Sequence, residues 1–282
     1  MSIVISASDV KKLRDMTNAA MMDCKKALEE SEGDFEKAIE VLRKKGQKLS
    51  VKRADREAKE GVVIALTSQN RNNGVVIRLS CETDFVAKGE GFISLAKNIA
   101  EIGLKHLPNS AEELLSLPID GSMTIGEKIT EQVGVIGEKL ELAGYGKIET
   151  KAGEGQVLPY IHMGYRAGVI VGLNLEGPEY IDAGKNIAMQ IAAMRPIAVD
   201  KDDVNPSMIE KEIEIGKEQA RNEGKPEAML EKIAIGKLNK FYKESTLLNQ
   251  DYVREGSMTV RAYLESLHKN LTVTGFRHIE LG

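Results

Sequence analysis

Chemistry in a protein needs side chains that can hold a metal, attack an electrophile or cradle a phosphate, and few here stand at spacings that allow it. Two cysteines, Cys24 and Cys81, lie 57 residues apart, and neither is half of a C-x-x-C pair. Histidines occur at 106, 162, 268 and 278 with no H-E-x-x-H or Cys/His ligand spacing. Both cysteines therefore read as reduced thiols, not as a disulfide or a zinc site. Gly121 to Thr130 has the look of a phosphate loop, but Glu127 follows Gly126 where such a loop needs a lysine beside the phosphates. Gly89-Glu90-Gly91 lacks the third glycine of a dinucleotide fingerprint and opens its helix with an acid. There is no nucleophile elbow, no triad and no carboxylate pair in an apolar context. The sequence thus implies no catalytic residue, no cofactor, no metal ligand and no nucleotide of its own.

Composition narrows the remaining classes. The chain has 282 residues, 42% of them hydrophobic and 29% charged, enough for two compact units with a buried core. A net charge of −4 gives no global field for nucleic-acid phosphate, and direct nucleic-acid binding is not expected. The charge is uneven: residues 1–59 carry 14 basic and 11 acidic side chains, the remainder 25 and 32. Met1 to Asp9 lacks a signal-peptide pattern and no segment reaches the ~20 apolar residues of a membrane span, so a cytoplasmic protein without membrane contact is expected. With no Trp and only five Phe, any Phe placed outside a core pattern is informative.

The elements that would position such a residue are legible from periodicity. Residues 1–45 read as three short helices. Ser8 caps a first stripe of Val10, Leu13 and Met16; a Thr17-Asn18-Ala19-Ala20 connection comes next; the second helix, Met21 to Glu30, turns Met22, Ala27 and Leu28 inward. Gly33-Asp34 ends it and caps a third helix striped by Phe35, Ala38, Ile39 and Leu42. Residues 46–60, rich in Lys and Arg, read as a basic linker or solvated helix. The pattern then becomes period two: Val62 to Leu66, a turn at Asn70 to Gly74, and Val75 to Leu79 make a β-hairpin, with a helix after it from about Gly91. Residues 109–139 look helical, with Ile125, Ile129, Val133 and Ile136 on one face, and Leu140 to Ile148 resumes as strand.

The same order recurs. Gly155, Val157, Gly168, Val169, Leu173 and Glu176 lie 94 positions after Gly61, Val63, Gly74, Val75, Leu79 and Glu82, an internal repeat of a ββα unit. Lys97-Asn98-Ile99-Ala100 returns as Lys185-Asn186-Ile187-Ala188 at an offset of 88, so the first copy holds six more residues between strand and helix. Those residues lie in Thr83-Asp84-Phe85-Val86-Ala87-Lys88, which puts a Phe and a Val on a loop the scaffold does not need. An apolar pair so placed asks for a partner. After Pro196, Ile209, Ile213, Gly216 and Ala220, then a Gly224-Lys225-Pro226 turn, then Leu230, Ile233 or Ala234 and Phe241, read as an antiparallel helical hairpin. A helix over Val260 to Leu267 and a strand-like Leu271 to Arg277 close the chain. His162, after a strand of the second copy, is a structural or an interface residue.

Two segments carry a family resemblance. Met21-Met22-Asp23-Cys24-Lys25-Lys26-Ala27-Leu28 with Gly33-Asp34, and Cys81-Glu82-Thr83-Asp84-Phe85-Val86-Ala87-Lys88, resemble the signatures of the bacterial translation elongation factor Ts family. The resemblance covers the whole chain and implies an α+β protein: a ubiquitin-associated-like three-helix domain (1–45), the linker (46–60), a core N-subdomain (61–149) and a core C-subdomain (150–282) with a coiled-coil insertion at about 200–243. It implies guanine-nucleotide exchange on elongation factor Tu, with Thr83, Asp84, Phe85 and Val86 forming a loop that dislocates Mg²⁺ in the GTPase. Met21, Met22, Lys25 and His162 would be further contacts with that partner. Both a 1:1 complex and a dimer of heterodimers fit the family. Where members have Gly-Ala-Gly before the Met pair, this chain has Asn18-Ala19-Ala20, and the C-terminal module of some members is not expected. The competing class is a scaffold or chaperone-like binding protein that uses the helical head as its interaction module.

Overall fold

The structure, a computed structural model, describes residues 5–121 and 123–282; Ser122, within the phosphate-loop-like segment, and residues 1–4 lie outside it. The chain is α+β. Three helices come first: α1 (Ala7–Thr17), α2 (Met21–Glu30) and α3 (Phe35–Arg53). Next come β1 (Glu60–Thr67), β2 (Asn73–Cys81), α4 (Asp84–Ala87), α5 (Glu90–His106), α6 (Ala111–Ser116), β3 (Pro118–Asp120), β4 (Met123–Thr124), α7 (Ile125–Ile136) and β5 (Glu141–Glu149). The rest is β6 (Gln156–Ile161), β7 (Ala167–Leu173), α8 (Ile181–Met194), α9 (Pro206–Asn222), α10 (Glu227–Ser245), β8 (Asp251–Tyr252), β9 (Glu255–Thr259), α11 (Val260–Leu267) and β10 (Val273–Glu280). No helix among the described residues is long and apolar enough to cross a membrane.

The head is built around Leu13, Cys24, Ala27, Leu28 and Ala38. Three details differ from the sequence expectation. Ser6, not Ser8, caps α1, its Oγ accepting the Asp9 amide at 3.1 Å, because that start places Asp9 at the third helical position, where its carboxylate also accepts the Ser6 hydroxyl. Met16 and Met22 stand in solvent; Cys24, three and four residues before Ala27 and Leu28, holds the inward place that Met22 was expected to take. The basic segment after residue 45 is not all linker, since α3 continues to Arg53 and its Leu49 packs into the core beneath β1 and β2.

The body is a four-layer arrangement. β1, β2 and β5 form one antiparallel sheet and β6, β7 and β10 another, each with the middle strand between the other two. Alternation along each strand sends Val62, Ile64, Ile77 and Leu79 toward α5 and α7, while Val63, Ala65 and Val76 meet Val157 and Ile170 of the other sheet. The second sheet turns Leu158, Val169 and Val171 toward α8 and α11. The sheets approach closely at two reciprocal points. A Cβ on Gly74 would lie 2.6 Å from Val157 Cγ1, and one on Gly168 2.7 Å from Val63 Cγ1, so the glycines 94 apart admit the valines 94 apart.

The duplication extends beyond ββα. In both copies a short hairpin, β3–β4 or β8–β9, leads into a helix capped by a threonine, Thr124 for α7 and Thr259 for α11. In both, a third strand then joins the middle one with a bulge at the same place, Ala143 opposite Leu79 and Arg78, Thr274 opposite Leu173 and Gly172. The hairpin at 118–124 interrupts the stretch expected to be helical. The second copy alone holds α9 and α10, which turn at Gly224 and pack along each other, Gly216 against Ala234.

The head is seated on the body through α3 and α7. Gly46 and Gly134 face each other so closely that a Cβ on Gly134 would lie 2.8 Å from Gly46 Cα.

Candidate functional site

After β2 the two copies part. In the second, Gly177 leads through a single 3-10 turn at Pro178–Tyr180 straight into α8. In the first, Thr83 caps the one-turn helix α4, its Oγ1 accepting the Val86 amide at 3.5 Å. Ala87 is buried and Val86 packs on the core, which leaves Phe85 standing outward, 85% exposed. Val86, expected beside Phe85 as part of an apolar pair open to a partner, instead anchors the turn. Asp84 pairs with Lys88 Nζ at 2.5 Å; that ammonium holds the carboxyl below its ordinary range, so the group beside Phe85 is ionised at neutral pH.

The groups that fix this turn came to light only with the structure. Glu138, just past the C-cap of α7, accepts the amides of Glu82 and Thr83 on Oε2 at 3.1 and 3.0 Å, and the Thr83 hydroxyl on Oε1 at 2.6 Å. Glu82 answers across the same gap: its Oε1 accepts the Lys139 amide at 2.6 Å and Arg53 Nη1 at 2.6 Å, and its Oε2 accepts Arg56 Nη1 at 2.9 Å. Burial alone would raise the Glu82 carboxyl, but the Lys139 amide and the two guanidinium groups outweigh it and hold it at about 2. The Cys81 thiol, pushed up to about 12 by burial and by the nearby Glu138 carboxylate, stays protonated and donates to the Thr83 carbonyl at 3.2 Å. Three segments, the end of α3, the turn before α4 and the strap after α7, are thereby tied to one another.

The second copy contributes to the same face. Its β6–β7 turn carries His162 and Met163, both exposed, Met163 at 85%. The Tyr160 hydroxyl lies 3.0 Å from His162 Nδ1. Lys97 Nζ sits 5.8 Å from the centre of the Tyr165 ring, and Arg166 pairs with Glu60 at 3.7 Å, so the turn is held against the first copy. Asp84 and Lys88 share a cleft of about 210 Å³ with Gly164 and Arg166, which puts the turns bearing Phe85 and Met163 on either side of it. Met163 was not singled out from the sequence; its signal was an apolar residue in a hairpin turn.

On the head, Met21 and Met22 are 51% and 61% exposed, and both are therefore available as contacts. Lys25 is exposed and pairs loosely with Glu29 at 3.8 Å. These residues lie on a different element from Phe85: Met21, Met22 and Lys25 are in the first half of α2, just after the α1–α2 corner that follows the exposed Met16. Near that corner, Thr17 and Ala19 share a small cleft with Glu131, Gly134 and Val135 of α7.

The family model described as Elongation factor TS matches residues 82–282, from the end of the first β1–β2 hairpin through the second copy. The chain belongs to the elongation factor Ts family. A protein named Elongation factor Ts from Cytophaga hutchinsonii is 51% identical over 278 residues, covering 98% of this chain and 99% of that protein. Those of Flavobacterium psychrophilum and Porphyromonas gingivalis, of the same name, are 49% and 44% identical, each over 99% of both chains. The elongation factor Ts likeness therefore includes the helical head and the β1–β2 hairpin, which the family model leaves out, as well as the Phe85 turn with which its match begins.

Proposed function

We propose that this chain is the guanine-nucleotide exchange factor for elongation factor Tu, and that the α4 turn is the element that opens the GTPase. It makes and breaks no covalent bond. Its work is differential binding: a partner that weakens GDP binding is itself weakened by GDP by the same factor, so exchange proceeds through a short-lived ternary complex. A release rate raised ~10⁴-fold requires ~5.5 kcal/mol of binding placed on the nucleotide-loosened state. Phe85 is the observation that carries this reading. An exposed ring on a braced turn can enter an apolar pocket on the GTPase, where its burial contributes ~1.5 to 3 kcal/mol. Mg²⁺ accepts little distortion of its octahedral oxygen shell, so a small shift of the elements that bear its ligands suffices to unseat it. Thr83 and Val86 hold the turn, and Asp84 presents a negative charge beside the ring.

In the same reading the head, a ubiquitin-associated-type domain of α1–α3, supplies a second grip through Met21, Met22 and Lys25, whose flexible thioethers suit an adaptable apolar contact. The two copies are related core subdomains meeting near residue 150. His162, with Met163 beside it, faces a further part of the partner, and α9–α10 is a coiled-coil arm. The test is stopped-flow release of a fluorescent GDP from elongation factor Tu. Acceleration by micromolar amounts of this chain is expected; an unchanged rate would leave only a binding scaffold.

A further inference from the structure

We propose that Glu138 is a positioning residue for exchange: its carboxylate, held on the strap after α7, fixes the Thr83–Phe85 turn in the raised form in which Phe85 points outward. The inference rests on the reading of Phe85 as the element that acts on the GTPase.

The geometry is specific to one carboxylate. Two amides and a hydroxyl of consecutive residues converge on Glu138, with both oxygens used. Charge-assisted hydrogen bonds of this kind are about twice as strong as neutral ones, and an ionised carboxylate can accept all three at once. The Thr83 hydroxyl, by donating to Glu138, is left with its lone pair toward the Val86 amide, so the cap that starts α4 has its direction set from α7. Without Glu138, the Glu82 and Thr83 amides would need other acceptors, and the start of α4 would lose the contacts that fix its direction.

The second copy is an internal control. Leu140 and Leu271 are buried at matching places before β5 and β10, 131 residues apart. The same offset puts Lys269 where the first copy has Glu138. Glu82, by contrast, keeps its counterpart Glu176, which accepts only the Gly153 amide at 2.9 Å. The copy without a projecting turn has a cation in place of the carboxylate that would hold one. Glu138 thus goes with the turn, whereas the glutamate at the end of the middle strand goes with the scaffold.

The experiment uses the full chain with Glu138→Ala, Glu138→Gln and Thr83→Val, each checked for fold by circular dichroism. Two quantities are read: the GDP release rate at saturating factor, and the affinity for nucleotide-free elongation factor Tu. The expected result for Glu138→Ala is a saturating rate lowered about tenfold with affinity changed less than about threefold, the size expected for losing charge-assisted hydrogen bonds that act only on the turn. Glu138→Gln, which keeps one carbonyl acceptor, should recover part of the rate. Thr83→Val and Glu138→Ala combined should lose less than the sum of the two, because the contact between the Thr83 hydroxyl and Glu138 is removed by either. Amide hydrogen exchange at Glu82, Thr83 and Val86 in the free protein should rise in Glu138→Ala, a readout that needs no GTPase. Equal losses of rate and affinity, additive losses in the double variant, or unchanged amide protection would each overturn the proposal. A wild-type chain that fails to accelerate GDP release would instead overturn the exchange reading, while the amide measurement would still decide whether Glu138 holds the turn.

Discussion

The two copies of the ββ unit share their glycines, their bulges and the threonine caps of their second helices, and differ in the connection that leaves the middle strand. In one copy the chain passes into its helix by a single turn; in the other it rises into α4, exposes a phenylalanine and is braced by Glu138, Glu82, Arg53 and Arg56. A duplicated scaffold is thus put to two uses, and the additional one is recognisable by where polar groups are spent. The shared features bury apolar surface. The unshared ones anchor a turn through Val86 and Ala87 and orient Phe85, which buries nothing within this chain.

The comparison breaks most completely if the projecting turn is exchanged for the short one. Replacing residues 83–91 by Gly-Pro-Glu, the connection of the second copy, should abolish acceleration of GDP release while circular dichroism shows a folded body, its thermal midpoint lowered by the loss of Val86 and Ala87 from the core. Phe85→Ala comes next. Loss of ~1.5 to 3 kcal/mol at the wedge corresponds to a roughly 10- to 150-fold slower release, with a smaller loss of affinity measured by titration; equal losses would make the ring an anchor only. A matched pair then probes the architecture common to both copies: Gly74→Ala and Gly168→Ala should each lower denaturant stability by ~1 to 3 kcal/mol, and by similar amounts, since each forces a Cβ into a valine of the opposite sheet.

A smaller effect separates the two strand-end glutamates. The Glu82 carboxyl is depressed in the folded protein, so its stabilisation is fully present above pH ~4.5 and is lost as pH falls toward about 2. In urea titrations, Glu82→Gln should cost on the order of 2 kcal/mol at pH 7, with the difference from wild type shrinking over that acid window. Glu176→Gln, at the equivalent exposed position, should stay within ~0.5 kcal/mol at either pH.

Much of the scaffold was legible because its signals are local. Period-two runs gave both hairpins, Asp34 after Gly33 gave the start of α3, and a constant offset of 94 tied the hairpins together. The full extent of the duplication was hidden because the offset does not stay constant. It falls to 88 after the long turn and rises to 131 once α9 and α10 have been inserted, so Gly144-Tyr145 and Gly275-Phe276 align only when each segment is shifted separately. Phe85 was legible as an apolar residue with no scaffold role, and the structure leaves it in solvent. Glu138 was not, since its meaning depends on two segments 55 residues apart meeting in space. Leu49 was missed for a related reason: a lone apolar residue among lysines carries no periodic signal, yet it fastens α3 to the body.

The contact between Gly46 and Gly134 has a consequence for how a partner is gripped. Backbone meets backbone there with no side chain between, so in the proposed function the methionine corner and the phenylalanine turn act as two jaws joined through that contact. Once one jaw is seated, the other arrives as an intramolecular event, without the loss of local concentration that a flexible tether imposes. The same contact makes the gap between the jaws a gauge. In the proposed function, a partner conformation that fits only one of the two contacts is held more weakly than one that fits both, so the spacing itself selects between conformations.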